Sequence, residues 1–145
     1  PTRLANLADL TCDSDGRLDR FIGDGQPKQL LELHELDDNT PYLIGLFLSG
    51  AYQEVMGNLH NLFGTTNAVH IRLSPGGSYR IDHVVRGDTN ADVLEAMEHD
   101  PRALLERLRV AAEAAINNGQ LRIDESRRLL DHLESSLRQT TYLQD

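Results

Sequence analysis

The period of the apolar residues changes once along this chain, at Gly87, and that change limits the fold more than any other feature. Before it, apolar residues alternate or fall in short continuous runs, as in strands; after it they recur every 3.6 residues, as on amphipathic helices. Strand signals lie at Leu4 to Thr11, Leu30 to His34 and Tyr42 to Leu48. The last is so continuous that it predicts a strand buried on both faces. Asp24-Gly25, and Asp37-Asp38-Asn39 before Pro41, supply the turn chemistry between them. A hairpin is expected next. Val69, Ile71 and Leu73 alternate with polar neighbours, Pro75-Gly76-Gly77 turns the chain, and Tyr79, Ile81, His83 and Val85 return along one face.

Beyond Gly87 the capping signals are local and strong. Thr89, with Asp92 three residues later, opens a helix that should end near Met97. Asp100-Pro101 opens a second, with Leu104, Leu108, Ala111, Ala112, Ala115 and Ile116 on one side and Gly119 as its terminating residue. A third starts near Asp124 and aligns Leu130, Leu133 and Leu137. The expected architecture is α+β: a mostly antiparallel β sheet or partial β-barrel followed by C-terminal helices. Residues 1–88 form the β-rich part and 89–145 a helical segment of the same unit.

With 145 residues, 39% hydrophobic and 26% charged, the chain suits one ordinary globular domain. A formal charge of -9 argues against a nucleic-acid partner and favours cationic small molecules or basic protein surfaces. A single cysteine, Cys12, excludes an internal disulfide framework and fits a reducing, cytoplasmic setting. Tyr42 to Leu48 is the longest apolar run and is far too short to span a bilayer, so no membrane partner is expected. The chain begins at Pro1 rather than methionine, which fits simple methionine removal and equally a processed product or part of a longer protein.

The densest reactive segment is Asp9-Leu10-Thr11-Cys12-Asp13-Ser14-Asp15-Gly16, one thiol and three carboxylates at the end of a predicted strand. From physics alone a buried small cysteine beside a solvated Asp/Ser turn is the favoured reading, ahead of a reactive site. As a calcium loop it fails, because placing Gly16 sixth puts Ile22 where a bidentate glutamate is required. Structural zinc fails for want of ligands. Gly50-Ala51-Tyr52-Gln53-Glu54 offers small residues and a phenol that could donate to a phosphate, or a tight junction with a half-packed tyrosine. His60 and Asn61 are either polar site residues or members of a loop held by its own hydrogen bonds. The remaining histidines show no paired ligand spacing, so no metal site is assigned.

Taken in order, Leu7 to Gly16, Leu48-Ser49-Gly50-Ala51-Tyr52-Gln53-Glu54-Val55-Met56-Gly57, Asn58-Leu59-His60-Asn61-Leu62-Phe63-Gly64, Gly87-Asp88-Thr89 and Thr140-Thr141-Tyr142-Leu143 resemble the C-terminal part of the biosynthetic, alanine-racemase-like arginine decarboxylases. These belong to the fold type III pyridoxal-phosphate decarboxylases. The resemblance covers essentially the whole chain, with mild variations at Ser49, Val55, Met56 and Thr65-Thr66. It implies an N-terminal (β/α)8 barrel that holds pyridoxal phosphate on a lysine. It also implies a C-terminal β domain that completes the partner subunit's active site in a head-to-tail dimer, a role that would fall to residues 1–88. Cys12 matches the cysteine that delivers a proton after CO2 leaves, and Asp13 the acid that binds the substrate's distal cationic end. Asp15 supports Asp13 in the same motif, and Tyr52 matches the tyrosine that hydrogen-bonds the cofactor phosphate.

The main departure is the absent barrel. Lys28, the one lysine, lies in a predicted loop and nothing in the family's pattern makes it the Schiff-base lysine, so this chain alone is expected to be inactive. The family also uses magnesium, Mg2+, for which no carboxylate cluster is legible here. Arginine is the substrate implied; ornithine, lysine and diaminopimelate are weaker alternatives. A different reading makes the chain a non-catalytic relative that binds the decarboxylase or a basic small molecule.

Overall fold

A computed structural model describes all residues except Asp13, Asp38, Gln53, Glu54, Met56, Asn58 and 143–145. The chain divides into two compact units, Pro1–Ser49 and Gly50–Asp145.

In the first unit, β1 (Arg3–Ala5) pairs antiparallel with β4 (Leu31–Leu33), and β2 (Leu7–Ala8) pairs antiparallel with β3 (Arg17–Leu18). The expected strand Leu4 to Thr11 is therefore split at Asn6 and stops at Ala8. Both turn signals are realised. Phe21 and Lys28 bridge around Asp24-Gly25, with Gly25 at φ 84°. Asp37 and Thr40 bridge while the Asp37 carboxylate accepts from Asn39 N at 2.9 Å and Thr40 Oγ1 at 3.3 Å. Those bonds, the Asn39 N–H first, hold the Asp37 carboxyl below its ordinary value.

The buried strand expected over Tyr42 to Leu48 is not formed. None of these residues pairs into a sheet, and Leu43, Phe47 and Leu48 are 88%, 87% and 108% exposed. Hydrophobicity nominates a strand but cannot make one. A strand needs a neighbouring edge to take its N–H and C=O groups, and no described segment offers that edge to this run.

The second unit carries the hairpin and the helices. A single 3-10 turn, His60–Leu62, leads to β5 (Ala68–Leu73) and β6 (Tyr79–Val85), which pair antiparallel around Pro75-Gly76-Gly77. Gly76 and Gly77 take φ 89° and 83°, which explains two glycines in succession. The register shifts between His70 and Ile71, so Asp82 is an extra, bulged residue. That bulge corrects the expected face: past it, Val84 rather than His83 or Val85 lies on the side of Tyr79 and Ile81. Asp82 meets Arg72 and Arg80, which stand opposite one another, each at 2.8 Å.

Three helices follow: α1 (Asn90–Ala96), α2 (Pro101–Asn117) and α3 (Ile123–Arg138). Thr89 and Asp92 make a complete capping box. Asp100 Oδ1 accepts from Arg102 N at 2.8 Å and Ala103 N at 3.2 Å. After α2 comes a full Schellman arrangement: Gln120 N donates to Ala115 O at 2.8 Å and Gly119 N to Ile116 O at 2.9 Å, with Gly119 at φ 70°. α3 returns against α2 and also packs on α1. Val93 and Ala112, 5% and 4% exposed, are buried, as is Pro101, and Leu104, Leu108, Leu130, Leu133 and Leu137 are half-buried. Ala111, expected on the packed side, is exposed, and Leu105 is half-buried instead. The α+β class is as expected, but the β part is three separate two-stranded antiparallel sheets with no closed barrel among the described residues.

Candidate active site

The segment with the thiol and carboxylates is the tip of the β2–β3 hairpin. Asp9 N donates to Gly16 O at 3.0 Å and closes the loop at its base. Inside it, Thr11 N donates to Ser14 Oγ at 2.8 Å and Ser14 Oγ donates back to Thr11 O at 3.1 Å. A serine that both accepts from and donates to the same residue fixes the turn between them. Cys12 lies in that turn and is exposed; Asp13, its neighbour, is outside the described residues. Asp15 follows, exposed, one residue beyond Ser14. A Cβ at Gly16 would lie 2.3 Å from Asp9 Oδ2 and 2.9 Å from Asp9 Cγ, so glycine there leaves room for the Asp9 carboxylate. Cys12 and Asp15 thus share one hydrogen-bonded loop.

Tyr52 belongs to the second unit. It is 79% exposed at φ 68°, a conformation that bulky side chains rarely adopt. Its neighbours Gln53 and Glu54 are outside the described residues. His60 and Asn61 are exposed, and Asn61 and Leu62 also have positive φ, 51° and 64°.

The segments just beyond them converge in a way that the spacing did not foretell. Tyr142 stacks on Phe63, with ring centroids 5.5 Å apart, and its hydroxyl donates to Gly64 O at 2.7 Å. Gly64 N in turn donates to Thr141 Oγ1 at 2.9 Å. Asp88 Oδ2 accepts from Thr65 N at 2.7 Å and Thr65 Oγ1 at 2.9 Å, and Gly87 N donates to Asn67 Oδ1 at 2.8 Å. Thr89 bridges to Thr140, and Asn90 N donates to Gln139 O at 2.8 Å. Phe63-Gly64-Thr65, Gly87-Asp88-Thr89 and Thr140-Thr141-Tyr142 therefore form one knot that ties the chain end to the start of α1. Gly64 and Gly87, each followed by small polar residues (Thr65-Thr66-Asn67 and Asp88-Thr89), are the sequence signal that could have suggested it.

The first unit also holds a polar cavity of about 330 Å³ lined by Asn6, Arg17, Asp19, Arg20 and Gln29. Arg17 pairs with Asp19 across 3.2 Å, and none of the candidate residues lines this cavity. Among the described residues no three His, Cys, Asp or Glu side chains are grouped as a metal site would need, and no helix is long and apolar enough to cross a membrane.

Comparison with known proteins bears on the whole chain. Residues 91–143 match the family described as the arginine decarboxylase C-terminal helical extension. A biosynthetic arginine decarboxylase of Parasynechococcus marenigrum (strain WH8102) is 98% identical over 145 residues, all of this chain and 22% of that protein. One of Prochlorococcus marinus (strain MIT 9303) is 72% identical over 99% of this chain and 22% of its own length. Among solved structures, the biosynthetic arginine decarboxylase SpeA from Campylobacter jejuni matches with a TM-score of 0.73 and 31% identity, covering 99% of this chain and 23% of that one. The chain spans between a fifth and a quarter of the length of these relatives and corresponds to their C-terminal part.

Proposed function

Taking the chain as a C-terminal portion of the biosynthetic arginine decarboxylase family, we propose that it completes the active site in which arginine becomes agmatine and CO2 for polyamine synthesis. The whole-chain match to proteins of that name carries this reading, and the Cys12 loop supports it.

In this reading Cys12 is the proton donor. Its thiol is exposed on a turn that Thr11 and Ser14 tie down, so it is accessible yet held in place. Asp13, the next residue in sequence, grips the substrate guanidinium through parallel hydrogen bonds, and Asp15 supports it. Tyr52, with its phenol exposed, donates to the phosphate of the cofactor, pyridoxal phosphate. A thiol, a carboxylate and a phenol are the kinds of group that such a cofactor and a cationic substrate would engage. They do not include its lysine: Lys28, the one lysine, pairs with Glu32 Oε2 at 3.2 Å on the surface, and nothing in the family's pattern makes it the Schiff-base residue. The lysine is assigned to an N-terminal (β/α)8 barrel, and this chain alone is inactive.

Bound cofactor supplies the electron sink for decarboxylation. This chain holds the cationic end of arginine, steadies the phosphate and returns a proton. The net charge of -9 favours a cationic substrate. A head-to-tail dimer in the cytoplasm is the setting proposed, and no residue of this chain is assigned to magnesium.

The test is arginine-dependent CO2 release by the complete enzyme. Replacing a positioned proton donor removes about 10²-fold or more of the rate, so Cys12→Ala should lower kcat by that much with little change in KM. Asp13→Asn should raise KM instead. An undiminished kcat in Cys12→Ala sinks the assignment, and binding without turnover in an assembled complex favours a non-catalytic role.

A further inference from the structure

The polar face of the β5–β6 hairpin is basic. Arg72 stands opposite Arg80 and His70 opposite His83, so two successive cross-strand pairs put two guanidiniums and two imidazoles on one surface. Like charges directly opposite one another destabilise a strand pair, and Asp82 offsets this: its Oδ2 meets Arg72 Nε and its Oδ1 meets Arg80 Nε, each at 2.8 Å. One carboxylate against two guanidiniums leaves the cluster cationic, on a chain whose net charge is -9.

The bulge builds this surface. In an unbroken register Asp82 would share a face with Arg80 while His83 fell on the other; the extra residue lets Asp82 and His83, neighbours in sequence, both serve the basic face. Each arginine meets the carboxylate through Nε, which leaves over the fork formed by Nη1 and Nη2. No hydrogen bond to a described residue engages either fork or the ring nitrogens of His70 and His83. The arginine side chains are 66% and 62% exposed and that of Asp82 only 29%, so the guanidiniums cover the carboxylate and keep their outer edges in solvent. Because both grip one carboxylate, the two forks are held close together. The imidazoles of the next pair have ring centroids 5.7 Å apart.

We propose that this face is a binding site for a compact oxyanion, a phosphate group, gripped by the Arg72 and Arg80 forks with the His70 and His83 imidazoles as further donors. Three features select that ligand. Planar forks with parallel N–H bonds match the oxygen pairs of phosphate and carboxylate. Two forks and two imidazoles offer more donors than the two oxygens of a carboxylate can use, whereas a phosphate group brings at least three oxygens and about -1.5 to -2 of charge at neutral pH. A metal cation, the other partner that two imidazoles suggest, is repelled by the guanidiniums. An extended polyanion is repelled by the rest of the chain, which has 23 acidic residues against 14 lysines and arginines. The site lies wholly within one hairpin and stands whether or not the chain completes a decarboxylase active site.

The test is hydrogen exchange by mass spectrometry in a polypeptide of the relatives' length, read at the peptides that span 68–85, so that phosphate bound at any other site is read elsewhere. Inorganic phosphate, glycerol 3-phosphate and acetate are titrated at fixed ionic strength, because exposed charge contacts weaken with salt. Phosphate should slow exchange in the hairpin to a saturating limit, since a ligand that binds the folded form stabilises it, and acetate should do no more than chloride. Arg72→Gln should raise the half-saturating phosphate concentration about tenfold, the loss of one charge-assisted fork, and Arg72→Lys, which keeps the charge without the fork, by less. His83→Ala leaves both ion pairs in place and should raise it about threefold. If Arg72→Gln speeds exchange before phosphate is added, the hairpin itself has loosened and the His83→Ala series decides. Half-saturation at a lower concentration of glycerol 3-phosphate than of phosphate identifies the ligand as a phosphate ester; an equal or higher one identifies the free ion. No protection at 68–85, equal protection by acetate, protection undiminished in both Arg72→Gln and His83→Ala, or protection by Zn2+ in place of phosphate, overturns the assignment.

Discussion

At Gly87 the constraint is space. Its φ is not left-handed, yet an added Cβ would lie 2.3 Å from the Thr65 carbonyl oxygen and 2.9 Å from Asn67 N. Those are backbone atoms, so relief requires the 65–67 segment to move. It cannot move freely, because Asp88 and Gly87 hold it through Thr65 and Asn67. Gly87→Ala should therefore cost about 1–3 kcal/mol, the range for overpacking, and thermal melts would show it as a lower Tm. An unchanged Tm would mean that the knot is not tight. Further along, Asp92 adds a pH dependence. The Thr89 hydroxyl, then the Thr89 N–H, then Arg86 hold its carboxyl below the ordinary value of 3.8. A depressed carboxyl stabilises the fold fully above the unfolded-state pKa, and this is lost as pH falls through the native one. Asp92→Asn should thus lower Tm at neutral pH and flatten the decline of Tm below about pH 4 relative to wild type. Acid profiles of equal slope for the wild type and the variant would remove Asp92 from the capping box.

Helices α1 and α2 end by one device used with different residues. At the end of α1, His99 N donates to Leu94 O at 2.9 Å and Glu98 N to Glu95 O at 3.0 Å, with Glu98 at φ 62°. This is the same arrangement that Gly119 makes after α2, but here a side chain bears the left-handed conformation. Relieving it is worth about 1 kcal/mol, so Glu98→Gly should raise Tm by a few degrees. A lower Tm would show that flexibility gained in the unfolded chain outweighs the strain. The contrast also explains which elements were readable. Asp100-Pro101 and Gly119 announce their helix because caps act over three or four residues, whereas the end of α1 carries no such residue and was placed only near Met97. The Asp82 bulge depends on how two strands register, and the Tyr142 hydroxyl reaches Gly64 across 78 positions. Neither can be seen in a local window. Cys12 and Tyr52 were singled out by resemblance, since chemistry alone favours a solvated turn and a half-packed tyrosine there.

For the molecule as a whole, ladder hydrogen bonds rather than hydrophobicity should decide where the backbone resists solvent. Tyr42 to Leu48 is the most continuous apolar stretch, and none of its residues pairs into a sheet. α2 and α3 are less apolar but have complete internal bonding and pack on one another. Hydrogen exchange of this 145-residue chain should reverse the order that hydropathy suggests. Amides 42–48 should exchange near the rate of an unfolded peptide, and those in the middle of α2 and α3 orders of magnitude more slowly, as expected when protection follows cooperative opening. Slow exchange at 42–48 in this chain would mean that the run finds a partner edge here after all, and the account of why that strand fails to form would be wrong. Repeating the measurement within a longer polypeptide, of the length its relatives have, separates local from global causes. If the run is unpaired for lack of an edge, its amides slow when the rest of the polypeptide supplies one; if they stay fast, the segment is a loop by nature, whatever its composition.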